Sequence, residues 1–222
     1  LRLAAPEAPS LDAAAARLAR TIPGSLAEVR NVVASPGPDN LLVTGRRSAA
    51  GTQKATDDDA THLSRVLSRY CPVTLFDCPA GLGSDAVQWA LAESHLALFV
   101  TPASVAGIDD AVQAAELWRS NQALAQVPLL VLLTRSSRSP FKPVAEARRL
   151  ARSGIDTAVL DYDAHLAAGV EIQPRLLSRA ARLQSAELAA RVLAAASSAP
   201  GRSGKPAAAR QAENGSGRRA RV

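Results

Sequence analysis

The chain has 222 residues, room for one large domain or for one domain with a tail. An apolar share of 47% is ample for a core, but aromatics reach only 3% and methionine is absent, so Ala, Leu and Val must fill it. That suits helices packed closely on a sheet. No run of about 18 apolar residues occurs, and no charged stretch precedes an apolar one at the start, so the sequence reads as neither a membrane span nor a leader but as a soluble, cytoplasmic protein. The formal charge of +6 suggests a nucleic-acid binder until it is divided along the chain. From Pro200 onward six basic residues face one acid, and the basic character belongs to this tail.

In chain order, residues 1–9 show little pattern. Ser10 then suits the cap of a helix with Leu11, Ala14, Ala15, Leu18 and Ile22 on its apolar face, stopped by Pro23-Gly24. Residues 25–40 include apolar positions, but Pro36, Gly37 and Pro38 break any regular element, and a short strand is expected over 41–45. Asp57, Asp58 and Asp59 invite a metal reading, yet consecutive carboxylates do not converge. Favourable charge at the start of the next helix, 60–70, is the better account.

The run Val73-Thr74-Leu75-Phe76-Asp77 is short, apolar and rich in strand formers, and it reads as a strand buried on both faces of a parallel sheet. An Asp at its carboxyl end would point into the crevice where such sheets bind ligands; its alternative role is to cap the helix that follows. That helix is expected over 84–94. After it come a strand over 96–101, a helix from Gly107 with Asp109 and Asp110 in its first turn, a strand over 129–134, a basic helix over 143–152 closed by Ser153-Gly154, and a strand over 157–160. A final helix over 173–196 is expected to turn Leu176, Ala180, Leu183, Ala190 and Leu193 inward. Three parts result: an irregular and helical segment over 1–40, an α/β domain over 41–196, and a disordered basic tail over 197–222. Five strands joined by long connections predict a mostly parallel sheet with helices on both faces. Cys71 and Cys78 flank one strand, too far apart to bridge, and read as free thiols.

The stretch Asp77-Cys78-Pro79-Ala80-Gly81 behind its apolar run resembles the Walker B and switch II segment of the MinD/ParA family of P-loop ATPases. Leu98-Phe99-Val100-Thr101-Pro102 resembles that family's next strand, and Val159-Leu160-Asp161-Tyr162-Asp163-Ala164-His165 is similar to a segment of actinobacterial MinD-like proteins, some linked to type VII secretion. The resemblance implies a P-loop-like α/β fold with Mg²⁺ and ATP as cofactors. Asp77 would be the catalytic position, holding Mg²⁺ through water, and Gly81, set by the turn at Pro79, would sense the γ-phosphate. Thr134, Arg135 and Asp161 would lie along the base, although Thr134 offers a single hydroxyl where much of the family has an amide. The implied protein is a nucleotide-gated homodimer that positions DNA, septal or secretion machinery. Arg148, Arg149, Arg152, Arg175, Arg179 and Arg182, or the tail, could add non-specific DNA binding.

The family's phosphate loop is the departure. No G-x-x-x-x-G-K-[ST] occurs, and the one Gly-Lys pair, Gly204-Lys205, precedes Pro206 and follows no strand. The chain is then either a piece whose phosphate loop and first strand lie elsewhere, or a complete ATPase-like protein that has lost hydrolysis and serves as a scaffold or interaction module. Neither version hydrolyses ATP alone. A piece that lacks its central strand should expose pairing edges.

Overall fold

The computed structural model describes residues 11–18, 23–37, 40–42, 57–82, 84–138, 141–169 and 172–198. The elements are α1 (Leu11–Leu18), α2 (Leu26–Val32), β1 (Ala34–Gly37), β2 (Asn40–Leu42), α3 (Asp57–Ser68), α4 (Asp85–Glu93), β3 (Ala97–Pro102), α5 (Val105–Ser120), β4 (Leu129–Thr134), α6 (Pro143–Arg152), β5 (Thr157–Leu160), α7 (Ala164–Ala167) and α8 (Arg179–Ser198). Strands β3, β4 and β5 form a parallel sheet in that order, with Ala97 opposite Leu129 and Val131 opposite Thr157. The fold is therefore α/β, as expected, with three parallel strands among the described residues where the sequence suggested five.

Helices cover both faces of this sheet because β4 is apolar from Leu129 to Leu133. Val131 and Leu133 face Ile108, Ala111 and Ala115 of α5 and Leu150 of α6. Leu130 and Leu132 face the other way, with Ala158, onto Leu188 and Val192 of α8. Both crossover helices thus lie on one face, and the chain passes to the opposite face only after β5. Trp118 closes the amino end of the sheet: its indole N–H donates to the Val127 carbonyl at 2.7 Å among Ala97, Leu124 and Val127. A second, smaller core joins Ala14 of α1 to Leu63 and Val66 of α3, and the Tyr70 hydroxyl ties it to the Pro23 carbonyl at 2.7 Å.

The largest correction concerns Val73 to Asp77. Among the described residues this stretch belongs to no strand, and Leu75 is 84% exposed. Its one packed side chain is Phe76, whose ring meets Trp89 edge to face with centroids 5.1 Å apart. A strand exists through hydrogen bonds to a neighbour, and no neighbour among the described residues reaches this one.

Other expectations shift for local reasons. The strand placed at 41–45 is β2, which pairs antiparallel with β1 in a separate two-stranded sheet, and 43–45 lie outside the described residues. Residues 25–40 do hold a helix, α2. Ser25 accepts from the Glu28 N–H while Glu28 accepts from the Gly24 N–H at 2.8 Å, so the reciprocal cap S-x-x-E starts it, a signal legible in the sequence. Helix α5 starts two residues before Gly107, which puts Asp109 and Asp110 past its first turn. The final helix is preceded by a separate 3₁₀ turn, Pro174–Leu176, and its inward face is Ala181, Leu188 and Val192, leaving Leu176, Leu183 and Leu193 exposed. Of the tail expected over 197–222, Ser197 and Ser198 belong to α8 instead, because the helix continues through them, and 199–222, like Ser10, lie outside the described residues.

Candidate functional site

The carboxyl ends of β3, β4 and β5 converge on one rim, where open α/β sheets leave room for ligands. Backbone bonds hold the rim level: the Ala103 N–H donates to the Thr134 carbonyl at 2.8 Å, and the Arg135 N–H donates to the Leu160 carbonyl at 3.0 Å. The Thr134 hydroxyl donates across to the Thr101 carbonyl at 3.4 Å, so its proton is directed along the rim. Arg135 follows β4, and its guanidinium lies 2.8 Å from the Asp161 carboxylate that follows β5. The same carboxylate accepts from the Tyr162 N–H at 2.7 Å, and the Asp161 N–H is held in turn by Gln184 of α8 at 2.9 Å. Three of the six expected site residues, Thr134, Arg135 and Asp161, are thereby brought together.

The other three are not. Asp77, Pro79 and Gly81 are exposed on the irregular stretch before α4. Asp77 does not cap that helix either, because Ser84 does, accepting from the Val87 N–H at 3.3 Å. Gly81 adopts φ +91°, a left-handed conformation that explains a glycine there, but nothing lies within 4 Å of where a Cβ would stand. A close backbone approach within the protein occurs elsewhere, at Gly107, where a Cβ would meet the Pro102 carbonyl oxygen at 1.9 Å. Beside Asp77, the Cys78 thiol is pushed up by partial burial and then by the adjacent carboxylate, and burial also raises Cys71. Both are free, and neither has the depressed thiol of a nucleophile.

Mg²⁺ coordination needs oxygen ligands that converge, and among the described residues no three His, Cys, Asp or Glu side chains do so. Asp77 stands alone, no phosphate loop faces it, and the residues present do not make a Mg²⁺·ATP site by themselves. The three aspartates 57–59 begin α3, and their side chains lie outside what is described.

No family model, curated protein or solved structure matches this chain. Its function has to be argued from the rim and the edges of the sheet.

Sequence reasoning missed two features of the site. Asp163 is buried at the rim, and one of its oxygens accepts from the His165 and Leu166 N–H groups while the other accepts from the Ser178 N–H at 2.9 Å. These donors hold its carboxyl below the usual range, Ser178 foremost, and the residue pins α7 to the start of α8. The signal was a cap residue directly before a short helix. The second is the cavity at the start of α6, lined by Arg135, Phe141, Lys142, Pro143, Val144 and Arg148 among others, which no short motif marks. The arginines expected to form one basic surface are divided, since α6 and α8 lie on opposite faces of the sheet. No helix among the described residues is long and apolar enough to cross a membrane.

Proposed function

We propose that this chain is the base-side part of a MinD/ParA-like, nucleotide-gated positioning protein whose first strand and phosphate loop are supplied by a segment beyond these residues. The observation that carries the reading is the contrast between the two edges of the parallel sheet. At β5, side chains of α8 meet part of the edge: Arg191 donates to the Thr157 carbonyl at 2.9 Å and Gln184 accepts from the Asp161 N–H, while the outward N–H and C=O of Val159 between them meet no partner among the described residues. At β3 nothing comparable exists. The odd residues bond to β4, so the N–H and C=O groups of Leu98 and Val100 face outward, and no partner meets them among the described residues. Their side chains share a face with Leu130 and Leu132 but are 39% and 55% exposed, because α8 stops short of them.

An open edge on an apolar strand, with one face left partly uncovered beside it, is what a sheet awaiting one more strand presents. Val73 to Phe76, strand-forming and unpaired, supplies a second candidate wall for that strand. Asp77 and Gly81 then come to the rim only on its insertion, while Thr134, Arg135 and Asp161 stand ready on the base side.

The test is calorimetry with Mg²⁺·ATP on this chain and on a polypeptide carrying the residues its gene encodes ahead of Leu1. Binding by the longer polypeptide alone, abolished by Asp77→Ala, is the expected result. A folded, soluble short chain with no binding by either polypeptide favours the non-catalytic scaffold instead.

A further inference from the structure

From the cavity at the start of α6 we infer a binding site for a small phosphomonoester carried on an apolar or aromatic body. This inference does not rest on the proposed function. The cavity is a shallow one, largely open to solvent, of about 430 Å³. Three cationic side chains line it, Arg135, Lys142 and Arg148, and no carboxylate does. The nearest acid on the helix, Glu146, is engaged by Arg149 at 2.7 Å. Arg135 is oriented by Asp161, whereas Lys142 and Arg148 have no ion-pair partner among the described residues. Two cations without counter-ions match the two charges of a phosphomonoester, and a guanidinium adds the donor geometry that phosphate oxygens accept.

The rest of the lining is apolar: Phe141, Pro143 and Val144 offer a surface for a ring or hydrocarbon body. A nucleic-acid duplex is a poorer fit, because it needs an extended basic face and the arginines of α6 and α8 lie on opposite sides of the sheet. A concave site of this size at the carboxyl rim takes a single small molecule.

The test uses the 222-residue chain and phenyl phosphate as the probe, followed by amide chemical shifts. Saturable binding is expected, with shifts centred on Phe141, Val144 and Ala145. Lys142→Gln with Arg148→Gln should weaken it at least about tenfold, as the loss of charge-assisted bonds requires. Both residues are exposed, so the doubly substituted chain should keep its other amide shifts. Arg152→Gln, on the same helix but outside the cavity, should change the affinity less than about twofold. Any of three results overturns the inference: no saturation, equal weakening by Arg152→Gln, or phenol binding as tightly as phenyl phosphate.

Discussion

Arg135, the first residue beyond β4, donates to Asp161, the first residue beyond β5, across 2.8 Å. The pair fastens two parallel strands at the rim, with the arginine side chain 15% exposed and the carboxylate 39%. Asp161→Ala removes this bond and the one from the Tyr162 N–H. A loss of about 1–2 kcal/mol is expected, moderated by the exposure of the carboxylate. Asp161→Asn, which can still accept from Tyr162, should lose less; urea unfolding of both variants checks the order.

Gly107 sits where α5 passes over the end of β3. A Cβ there would lie 1.9 Å from the Pro102 carbonyl oxygen and 2.8 Å from the Thr101 hydroxyl. The first of these is backbone and cannot rotate away. Gly107→Ala should destabilise by about 3 kcal/mol despite its better helix propensity. Thermal unfolding measures it, and an unchanged midpoint would contradict the close approach.

Two groups on the outer edge of β5 are held by α8. Arg191 bonds both the Thr157 carbonyl and the Asp156 carboxylate, and Gln184 holds the Asp161 N–H. Replacing both by Ala should free those edge groups at a cost of about 1–2 kcal/mol and promote self-association through strand pairing. Sedimentation velocity over a concentration series shows whether it does.

Val100→Lys addresses the other edge. The side chain is half-exposed, so the 222-residue chain should change by less than about 0.5 kcal/mol. If β3 receives a further strand in the longer polypeptide, the same lysine is forced into the completed sheet. Mg²⁺·ATP binding by that polypeptide should then fall sharply, whereas an unaffected affinity would place the inserted strand elsewhere.

Asp163 gives the rim a pH dependence of known sign. Its folded carboxyl lies below the unfolded value because backbone N–H groups, Ser178 first, favour the charged form. The stabilisation is therefore fully present above the unfolded value, about 4, and is lost as pH falls through the lower folded value. Asp163→Asn should flatten the acid limb of a urea-midpoint titration below about pH 4. An identical limb in both proteins would assign the acid sensitivity to other groups.

The region from β3 to β5 was legible in the sequence almost to the residue. Leu129 to Leu133 is apolar throughout because β4 is covered on both faces, and Pro143 and Gly154 bracket α6 with backbone constraints that act locally. Those signals travel with the chain and need no distant partner. What the tertiary structure alone decided is non-local. Val73 to Phe76 has the composition of a buried strand but meets no pairing neighbour among the described residues, and composition cannot report a hydrogen-bond partner. The inward face of α8 was equally hidden, since alanine populates every side of that helix and only contact with Leu130 and Leu132 selects Leu188 and Val192. The same holds for Arg191 on Thr157 and for Gln184 on Asp161, pairs far apart in sequence that meet because α8 folds back along β5. Local apolar pattern thus set the order of strands and helices, whereas packing decided which edge groups are held, which are open and which charged groups share the rim.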